Sequence, residues 1–225
     1  MAEVLTPDIC VIGAGSGGLT VAAAAASFGV SVVLIEKGKM GGDCLNYGCV
    51  PSKALLAAGK QAQSMRSGSK FGIAPAEPQV NFKSVMAHVK SVIAEIAPND
   101  SVERFTALGV RVIQAEAKFG DKRTVFAGNH EGRARRFVIA TGSSALVPPI
   151  PGLSDVDYLT NETLFEQERL PTHLIIIGGG PIGMEMAQAH RRLGAEVTVI
   201  EAFAALGKDD PETASLILSA LRAEG

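Results

Sequence analysis

Two cysteines in a predicted glycine-rich loop are the side chains of this sequence best suited to chemistry. Cys44 and Cys49 are separated by four residues, and Pro51 then leads into a predicted helix over residues 52–60. Proline is well tolerated at a first helical position. A helix start carries partial positive charge and unsatisfied N–H groups, which favour a thiolate at Cys49, and Lys53 adds a cation within the first turn. The pattern therefore predicts thiolate chemistry.

The cysteine pair has three interpretations, of which we favour a redox pair. A structural disulfide fits poorly with a chain of three cysteines that shows no secretory signal. Zinc would require two more soft ligands, and the sequence has no other cysteine pair and no close histidine pair. Two thiols that reversibly form a disulfide are the better interpretation. The rest of the chain has to indicate their electron partner.

Composition limits the classes of function. The chain has 225 residues, enough for one or two domains, and 47% of them are hydrophobic. A net charge of −2 and a pI near 6.1 argue against nucleic acid or an anionic membrane surface as partner. No apolar stretch approaches the roughly 20 residues of a membrane span, and the start of the sequence does not resemble a secretory signal. We expect a soluble, cytoplasmic protein in a reducing compartment.

A dinucleotide-binding pattern starts at residue 8. It consists of strand, G-x-G-x-x-G, helix, strand and acid, at residues 8–12, 13–18, 19–28, 30–35 and 36. Gly13 allows the tight turn, Gly15 lets a pyrophosphate approach the backbone, and Gly18 lets the helix pack close to the strand. The helix start can then hold the phosphates, and Glu36 can accept hydrogen bonds from ribose hydroxyls. This context favours a nucleotide site over a plain glycine-rich turn.

The same pattern returns 165 residues later. A strand at residues 174–177 leads into a second glycine motif at Gly178, Gly180 and Gly183. A helix at 184–193 and a strand at 197–200 come next, and Glu201 corresponds to the first acid. Two such units in a fixed internal register predict two nucleotide cofactors. An acid at the end of the second strand favours a free ribose 2′-hydroxyl, so Glu201 predicts NAD(H) rather than NADP(H).

The segment between the two repeats carries further predicted elements. Helices are expected at residues 54–67 and 82–96, with a break at Pro98, and short strands at 110–113, 124–126 and 135–140. Cys10, inside the first strand, is expected to be a buried small hydrophobe. The proline-rich stretch at 148–152 predicts a linker, which divides the chain into domains at 1–150 and 151–225.

Two dinucleotide units and a C-x-x-x-x-C segment after the first resemble the pyridine nucleotide–disulfide oxidoreductases. This family of two-cysteine flavoenzymes includes dihydrolipoamide dehydrogenase, glutathione reductase and mercuric reductase. Its most specific match is the sequence from Gly41 to Lys53. The resemblance implies an α/β fold with two Rossmann-like units, parallel sheets and a small β-meander, the second unit being truncated. Residues 1–150 would be the FAD domain, and 151–225 part of the NAD(P) domain.

The resemblance also implies roles for individual residues. Cys49 would face the flavin, Cys44 would exchange with the external substrate, and Lys53 would lie beside the flavin N5 with Glu185 as its carboxylate partner. Residues 140–142 resemble the second flavin motif of the family, and the backbone at Ala117 would meet the adenine. The implied contacts to FAD are Gly13, Gly15, Gly18, Glu36, Lys37, Gly42, Asp43, Lys53, Ala117, Thr141 and Gly142. The implied contacts to the nicotinamide cofactor are Gly178, Gly180, Gly183 and Glu201.

Some features depart from the family pattern. Asp43 stands where many members have threonine, and Pro181 where several have a tyrosine that covers the nicotinamide pocket. The family's catalytic histidine, its glutamate partner and a Gly-Asp flavin contact have no counterpart, since the four histidines lie in other segments: His88, His130, His173 and His190. We therefore expect the N-terminal part of a longer, homodimeric protein, with little turnover by these residues alone.

The expected function is electron transfer from NADH through FAD and the Cys44–Cys49 pair to a small dithiol, disulfide or lipoyl carrier, or the reverse. Dihydrolipoamide dehydrogenase is the type we favour. A mercuric-reductase-like enzyme is an alternative that would need metal-capturing cysteines at the termini, and the N-terminus has none. A second alternative is a flavin-binding module without turnover. A glutathione-reductase role is less favoured because it would call for basic residues where Glu201 stands.

Overall fold

The computed structural model describes residues 2–225, which form an α/β fold of ten strands and eight helices. The strands are β1 (Glu3–Leu5), β2 (Ile9–Ile12), β3 (Val32–Glu36), β4 (Arg111–Gln114), β5 (Ala117–Phe119), β6 (Thr124–Ala127), β7 (His130–Arg133), β8 (Arg136–Ile139), β9 (His173–Ile177) and β10 (Glu196–Ile200). The helices are α1 (Ser16–Ser27), α2 (Gly42–Asn46), α3 (Cys49–Arg66), α4 (Phe82–Ile96), α5 (Val102–Ala107), α6 (Asn161–Leu164), α7 (Pro181–Leu193) and α8 (Pro211–Glu224). Short 3₁₀ turns lie at Gly68–Phe71, Ala97–Asp100 and Leu153–Asp155.

A parallel four-stranded sheet in the order β4-β3-β2-β8 forms the centre of the first compact unit, which comprises the described residues up to 50 and residues 92–163. Its two middle strands are almost fully buried, as expected where both faces of a parallel sheet are covered. Alternate residues go to opposite faces. Val11 and Leu34 pack with the helix side of the core, and Cys10 and Val33 with the other side. The prediction that Cys10 is a buried hydrophobe is confirmed.

The second sheet of this unit is the predicted β-meander. Strands β5, β6 and β7 are antiparallel, and β1 pairs with β7 in parallel, which gives the order β1-β7-β6-β5. Val125 and Ala127 of β6 belong to the same buried cluster as Cys10, so this sheet covers one face of the parallel sheet. The sequence predicted β6 and β8, whereas strands β1, β5 and β7 were missed.

The second compact unit comprises residues 51–91 and 164–225. Strands β9 and β10 are parallel, and α7 connects them. Helix α3 approaches α7 closely at Gly59, where a Cβ would lie 3.3 Å from the carbonyl oxygen of Ala189. Phe82 of α4 contacts the His190 ring of α7 at 6.0 Å between centroids. The predicted division into domains at 1–150 and 151–225 concerns cofactor-binding domains and stays a prediction.

The two nucleotide-binding patterns fold as predicted. Each glycine motif begins directly after a strand and ends in the first turn of a helix, and each second strand leads to its acid, Glu36 or Glu201. The helices begin at Ser16 and Pro181, three residues before the predicted starts at 19 and 184. The predicted helix at 82–96 is confirmed with the same bounds, and the chain passes through a 3₁₀ turn at Pro98 before α5. Within residues 2–225, no helix combines the length and apolar character needed to cross a membrane.

Candidate functional site

The two cysteines lie in consecutive helices. Cys44 belongs to α2, and Cys49 is the first residue of α3. Two predictions from the sequence are wrong at this point. The segment around Cys44 is a short helix rather than a loop, and the next helix begins at Cys49 rather than at residue 52. Because proline is tolerated anywhere in the first turn, Pro51 does not have to be the first helical residue.

Glycines with positive φ produce the sharp entry into α2. Gly41 has φ of 85° and Gly42 has φ of 57°, a region that side chains with a Cβ rarely adopt. Leu45, only 3% exposed, anchors α2 in the core. A Cβ on Gly41 would lie 2.7 Å from the Cβ of Leu45, so the turn has no room for a larger residue. The backbone therefore fixes where Cys44 lies.

The thiols of Cys44 and Cys49 share a hydrogen bond, and the backbone N–H of Cys49 also donates to the Cys44 sulfur. Partial burial, together with the hydrogen bond and charge of Cys49, raises the pKa of Cys44 to about 11. At neutral pH Cys44 therefore keeps its proton. This arrangement suits a pair in which the exposed Cys49 and the half-buried Cys44 have different tasks.

Two residues beside the pair were missed in the sequence. Asp100, in the turn after α4, adds a negative charge that also raises the pKa of Cys44. Asn161, at the start of α6, donates from Nδ2 to Oδ1 of Asp43 at 2.9 Å. Both are far from the cysteines in the chain and belong to no motif. Only knowledge of the tertiary fold could have found them.

The first glycine motif packs against the end of β8. A Cβ on Gly13 would collide with the carbonyl oxygen of Ala140, and one on Gly18 with the carbonyl oxygen of Gly13. The backbone N of Thr141 would be 3.1 Å from the same Gly13 Cβ. The structure thus brings the glycine motif and the predicted second flavin motif together at the carboxyl ends of neighbouring strands, where α/β sheets bind ligands.

The two acids make equivalent hydrogen bonds. Oε2 of Glu36 accepts from the Ala14 N–H at 2.6 Å, and Oε1 accepts from the Gly38 N–H at 2.6 Å. In the second repeat, Oε2 of Glu201 accepts from Gly179 at 2.8 Å, and Oε1 from Phe203 at 3.1 Å. The hydrogen bond from Gly179, and after it that from Phe203, lowers the pKa of Glu201.

The geometry of both repeats fits a dinucleotide. Helices α1 and α7 have the N-cap residues Gly15 and Gly180, and no side chain caps the first N–H groups of either helix. A Cβ on Gly180 would meet nothing within 4 Å, and one on Gly15 only the Cα of Gly42 at 3.8 Å. Unsatisfied N–H groups at a helix start, with open space before them, are suited to a pyrophosphate.

Lys53 and Glu185 form the predicted ion pair. The Lys53 Nζ donates to both carboxylate oxygens of Glu185, at 2.6 and 2.7 Å. The side chains are 60% and 37% exposed, so the pair contributes little to stability. Its effect is positional, because Glu185 restricts where the ammonium group of Lys53 can lie.

Three other predicted cofactor residues lie next to these motifs or in the second sheet. Lys37 is exposed on the turn after β3, Gly142 is exposed after β8, and Ala117 pairs with Ala127 in the second sheet.

His190 is buried in α7, where its Nδ1 donates to the Met186 carbonyl oxygen at 2.8 Å. Among residues 2–225, no group of three or more His, Cys, Asp or Glu side chains is placed to hold a metal ion.

Comparison with known proteins identifies the family. The family model described as pyridine nucleotide-disulphide oxidoreductase matches residues 7–225. Mercuric reductase of Streptomyces lividans is 36% identical over 224 residues, which cover 97% of this chain and 47% of that protein. Mercuric reductase of Bacillus cereus is 36% identical over 219 residues, which cover 97% of this chain and 35% of that protein.

A solved structure agrees with these relatives. The HOCl-induced flavoprotein disulfide reductase RclA from Escherichia coli superposes with a TM-score of 0.81 at 29% identity. The match covers 97% of this chain and 47% of RclA. The chain thus spans less than half of the length of these three proteins. Both cysteines, both glycine motifs and both acids lie within the matched region, and the chain belongs to the pyridine nucleotide–disulphide oxidoreductase family.

Proposed function

We propose that this chain is part of an FAD-dependent oxidoreductase in which Cys44 and Cys49 alternate between dithiol and disulfide. The observation that carries the proposal is the hydrogen bond between the two thiols, since it places the sulfur of Cys44 in α2 next to that of Cys49 at the start of α3. Family membership supports the same conclusion. Bound FAD would supply the link between a two-electron hydride donor and the cysteine pair.

Different residues would bind FAD, place a cation near the flavin and carry out thiol exchange. The N–H groups at the start of α1 would hold the FAD pyrophosphate, and Glu36 its adenosine ribose. Lys53, held by Glu185, would place a cation near the flavin ring. Cys49, exposed at the start of α3, would face the flavin, and Cys44 would exchange with the substrate. Because Cys44 keeps its proton at neutral pH, a base must accept that proton when its sulfur attacks.

The second repeat would bind the electron donor. The start of α7 would hold the pyrophosphate of a nicotinamide dinucleotide, and Glu201 would accept from the ribose hydroxyls. An ionised carboxylate repels a 2′-phosphate, and the lowered pKa of Glu201 keeps that charge at neutral pH. NADH is therefore the proposed donor. A homodimeric assembly and a cytoplasmic location stay predictions.

For the substrate, we propose a thiol-seeking metal ion first and a disulfide second. The names of the Streptomyces and Bacillus relatives support Hg(II), and the description of RclA as a disulfide reductase supports the second class. None of these names favours dihydrolipoamide dehydrogenase, the type expected from the sequence. In either case NADH gives up two electrons. With Hg(II) the products are NAD⁺, a proton and elemental mercury, and with a disulfide NADH and one proton give NAD⁺ and two thiols.

Parallel assays of the full-length protein decide between the substrates. We expect NADH oxidation that depends on Hg(II) in the presence of excess small thiol, and we expect it to be lost in Cys44→Ser and in Cys49→Ser. NADH-dependent reduction of lipoamide and of small disulfides should be measured beside it. Faster turnover of a disulfide than of Hg(II) would move the assignment to the second class. No cysteine-dependent NADH oxidation with any acceptor would refute the proposed function.

A further inference from the structure

Phe203 is the most exposed large hydrophobic residue among residues 2–225, at 96%. It lies on the turn after β10, two residues beyond Glu201. We propose that Phe203 is the platform on which the adenine of the nicotinamide dinucleotide stacks. This inference rests on the proposed binding of that nucleotide at Glu201, and it assigns the adenine end of the site to a residue outside the glycine motif.

The backbone of Phe203 is fixed by the carboxylate expected to bind the ribose. Its N–H donates to Oε1 of Glu201 at 3.1 Å, while Oε2 of Glu201 accepts from Gly179 at 2.8 Å. The adenine is attached to the same ribose, on the carbon next to the one that carries the 2′-hydroxyl. A ring held two residues from the ribose contact is therefore within reach of the base.

The exposure of Phe203 leaves its ring open to a ligand. A phenylalanine ring in water forgoes the favourable transfer of its apolar surface that burial would give. A purine has a flat face of similar size, and bases stack on aromatic side chains in a sequence-tolerant way. Adenine stacking would cover the ring without any change in the backbone of the turn.

The first repeat provides an internal contrast. Gly38 lies 165 residues before Phe203, and its N–H makes the equivalent hydrogen bond to Glu36 at 2.6 Å. The backbone arrangement is shared, but the ring is present only in the second repeat. The aromatic platform is thus an addition to the nucleotide-binding turn and is not required for the turn to form.

The test is calorimetric binding of ADP-ribose to the FAD-saturated, full-length protein. ADP-ribose contains the adenine and both riboses but lacks the nicotinamide, and bound FAD occupies the first repeat. In Phe203→Ala we expect the dissociation constant to rise about tenfold, in line with the loss of one stacked base. Phe203→Tyr, which keeps a stacking face, should bind nearly as well as the wild type. Phe28→Ala, a control at another exposed phenylalanine (84%), should leave binding unchanged.

The outcomes separate this inference from the proposed function. Equal ADP-ribose affinity in the wild type and Phe203→Ala would overturn the inference, and so would a wild type that does not bind ADP-ribose. Cysteine-dependent NADH oxidation would stand in either case. Weaker binding in Phe203→Ala by a protein that oxidises no NADH would support the platform and refute the redox function. An equal loss in Phe203→Tyr would contradict stacking as its cause.

Discussion

The two nucleotide-binding repeats share their backbone hydrogen bonds and differ in the segment after the second strand. Gly13 donates to the Ile35 carbonyl oxygen at 2.8 Å, and Gly178 donates to that of Ile200 at 2.9 Å. Beyond the second strand, the chain returns to the glycine motif in both repeats. The hydrogen bonds donated by Gly13 and Gly178 are 165 residues apart, so the internal duplication extends from the sequence to individual hydrogen bonds.

The two repeats differ from the point where the chain, after the second strand, hydrogen-bonds again to the glycine motif. Gly41 donates to the Ala14 carbonyl oxygen at 2.9 Å, and Leu206 donates to that of Gly179 at 2.8 Å. Both have positive φ, 85° and 54°, but only the first repeat has a glycine there. In the first repeat the chain then continues into α2, which contains Cys44. The position that corresponds to Cys44 in the second repeat is Asp209. The fold is common to both repeats, and the proposed redox pair follows the turn of only the first.

The largest predicted effect concerns the third glycine of each motif. In Gly18→Ala and Gly183→Ala, the new Cβ would collide with the carbonyl oxygen of Gly13 or Gly178. Each variant should lower the free energy of unfolding by about 1–3 kcal/mol, because helix and strand must separate. Urea unfolding measures this. Gly17→Ala is the matched control, since its Cβ would meet only the Ala140 Cβ at 4.0 Å.

A tolerated alanine at Gly18 or Gly183 would contradict the shared geometry. Unequal losses of stability would show that the two repeats differ in packing. The added Cβ would lie 3.2 Å from the Val11 side chain at position 18 and 3.4 Å from the Ile176 side chain at position 183. The tighter contact predicts the larger loss for the first repeat.

At position 206, glycine should be a more stable replacement for leucine than alanine, which reverses the usual order. A non-glycine residue with positive φ carries a cost of about 1–2 kcal/mol. Both replacements remove the buried side chain, but only glycine also removes the strain. Leu206→Gly should therefore be more stable than Leu206→Ala by about 1 kcal/mol in urea unfolding. At a buried position inside a helix, such as Leu55 of α3, alanine should be the more stable replacement.

His190 predicts a pH dependence confined to the second repeat, because Ala25 stands at the corresponding place in α1. Burial lowers the pKa of His190 below its usual value. The unfolded chain therefore takes up this proton first as the pH falls. The contribution of His190 to stability is complete above about pH 6.5 and is lost below it.

The measurement is the free energy of unfolding between about pH 8 and pH 5. His190→Gln should lose less stability across this range than the wild type. The same slope in both proteins would show that His190 does not titrate differently in the folded state.

Replacing Asp100 should give the smallest of the predicted effects, and it tests the surroundings of the cysteine pair, which only the first repeat has. Asp100→Asn removes a negative charge near Cys44, so the pKa of Cys44 should fall from its value of about 11. The midpoint of Cys44 alkylation, monitored residue by residue by mass spectrometry, reports this shift. Asp100→Glu keeps the charge and serves as control. An unchanged midpoint in Asp100→Asn would remove Asp100 from the site.

The sequence was informative where local chemistry dictates structure. The glycine motifs, the buried strands between them and the acids could be predicted from residue type and spacing, and the contact between Lys53 and Glu185 from the family resemblance. Strand β5 was missed because it has only three residues, and β7 because it contains no apolar side chain. The partner of Asp43 and the charge beside Cys44 depend on residues distant in the chain, so no local pattern could indicate Asn161 or Asp100.

The central claim is that Cys44 and Cys49 store electrons received from NADH through the flavin. An anaerobic NADH titration of the full-length protein, monitored by absorbance, tests it directly. A cysteine pair that accepts two electrons beyond the flavin predicts that the wild type consumes about twice as much NADH per flavin as Cys44→Ser. It also predicts a long-wavelength band in the reduced wild type that is absent in Cys49→Ser. Equal NADH consumption by the wild type and Cys44→Ser, without such a band, would contradict the claim.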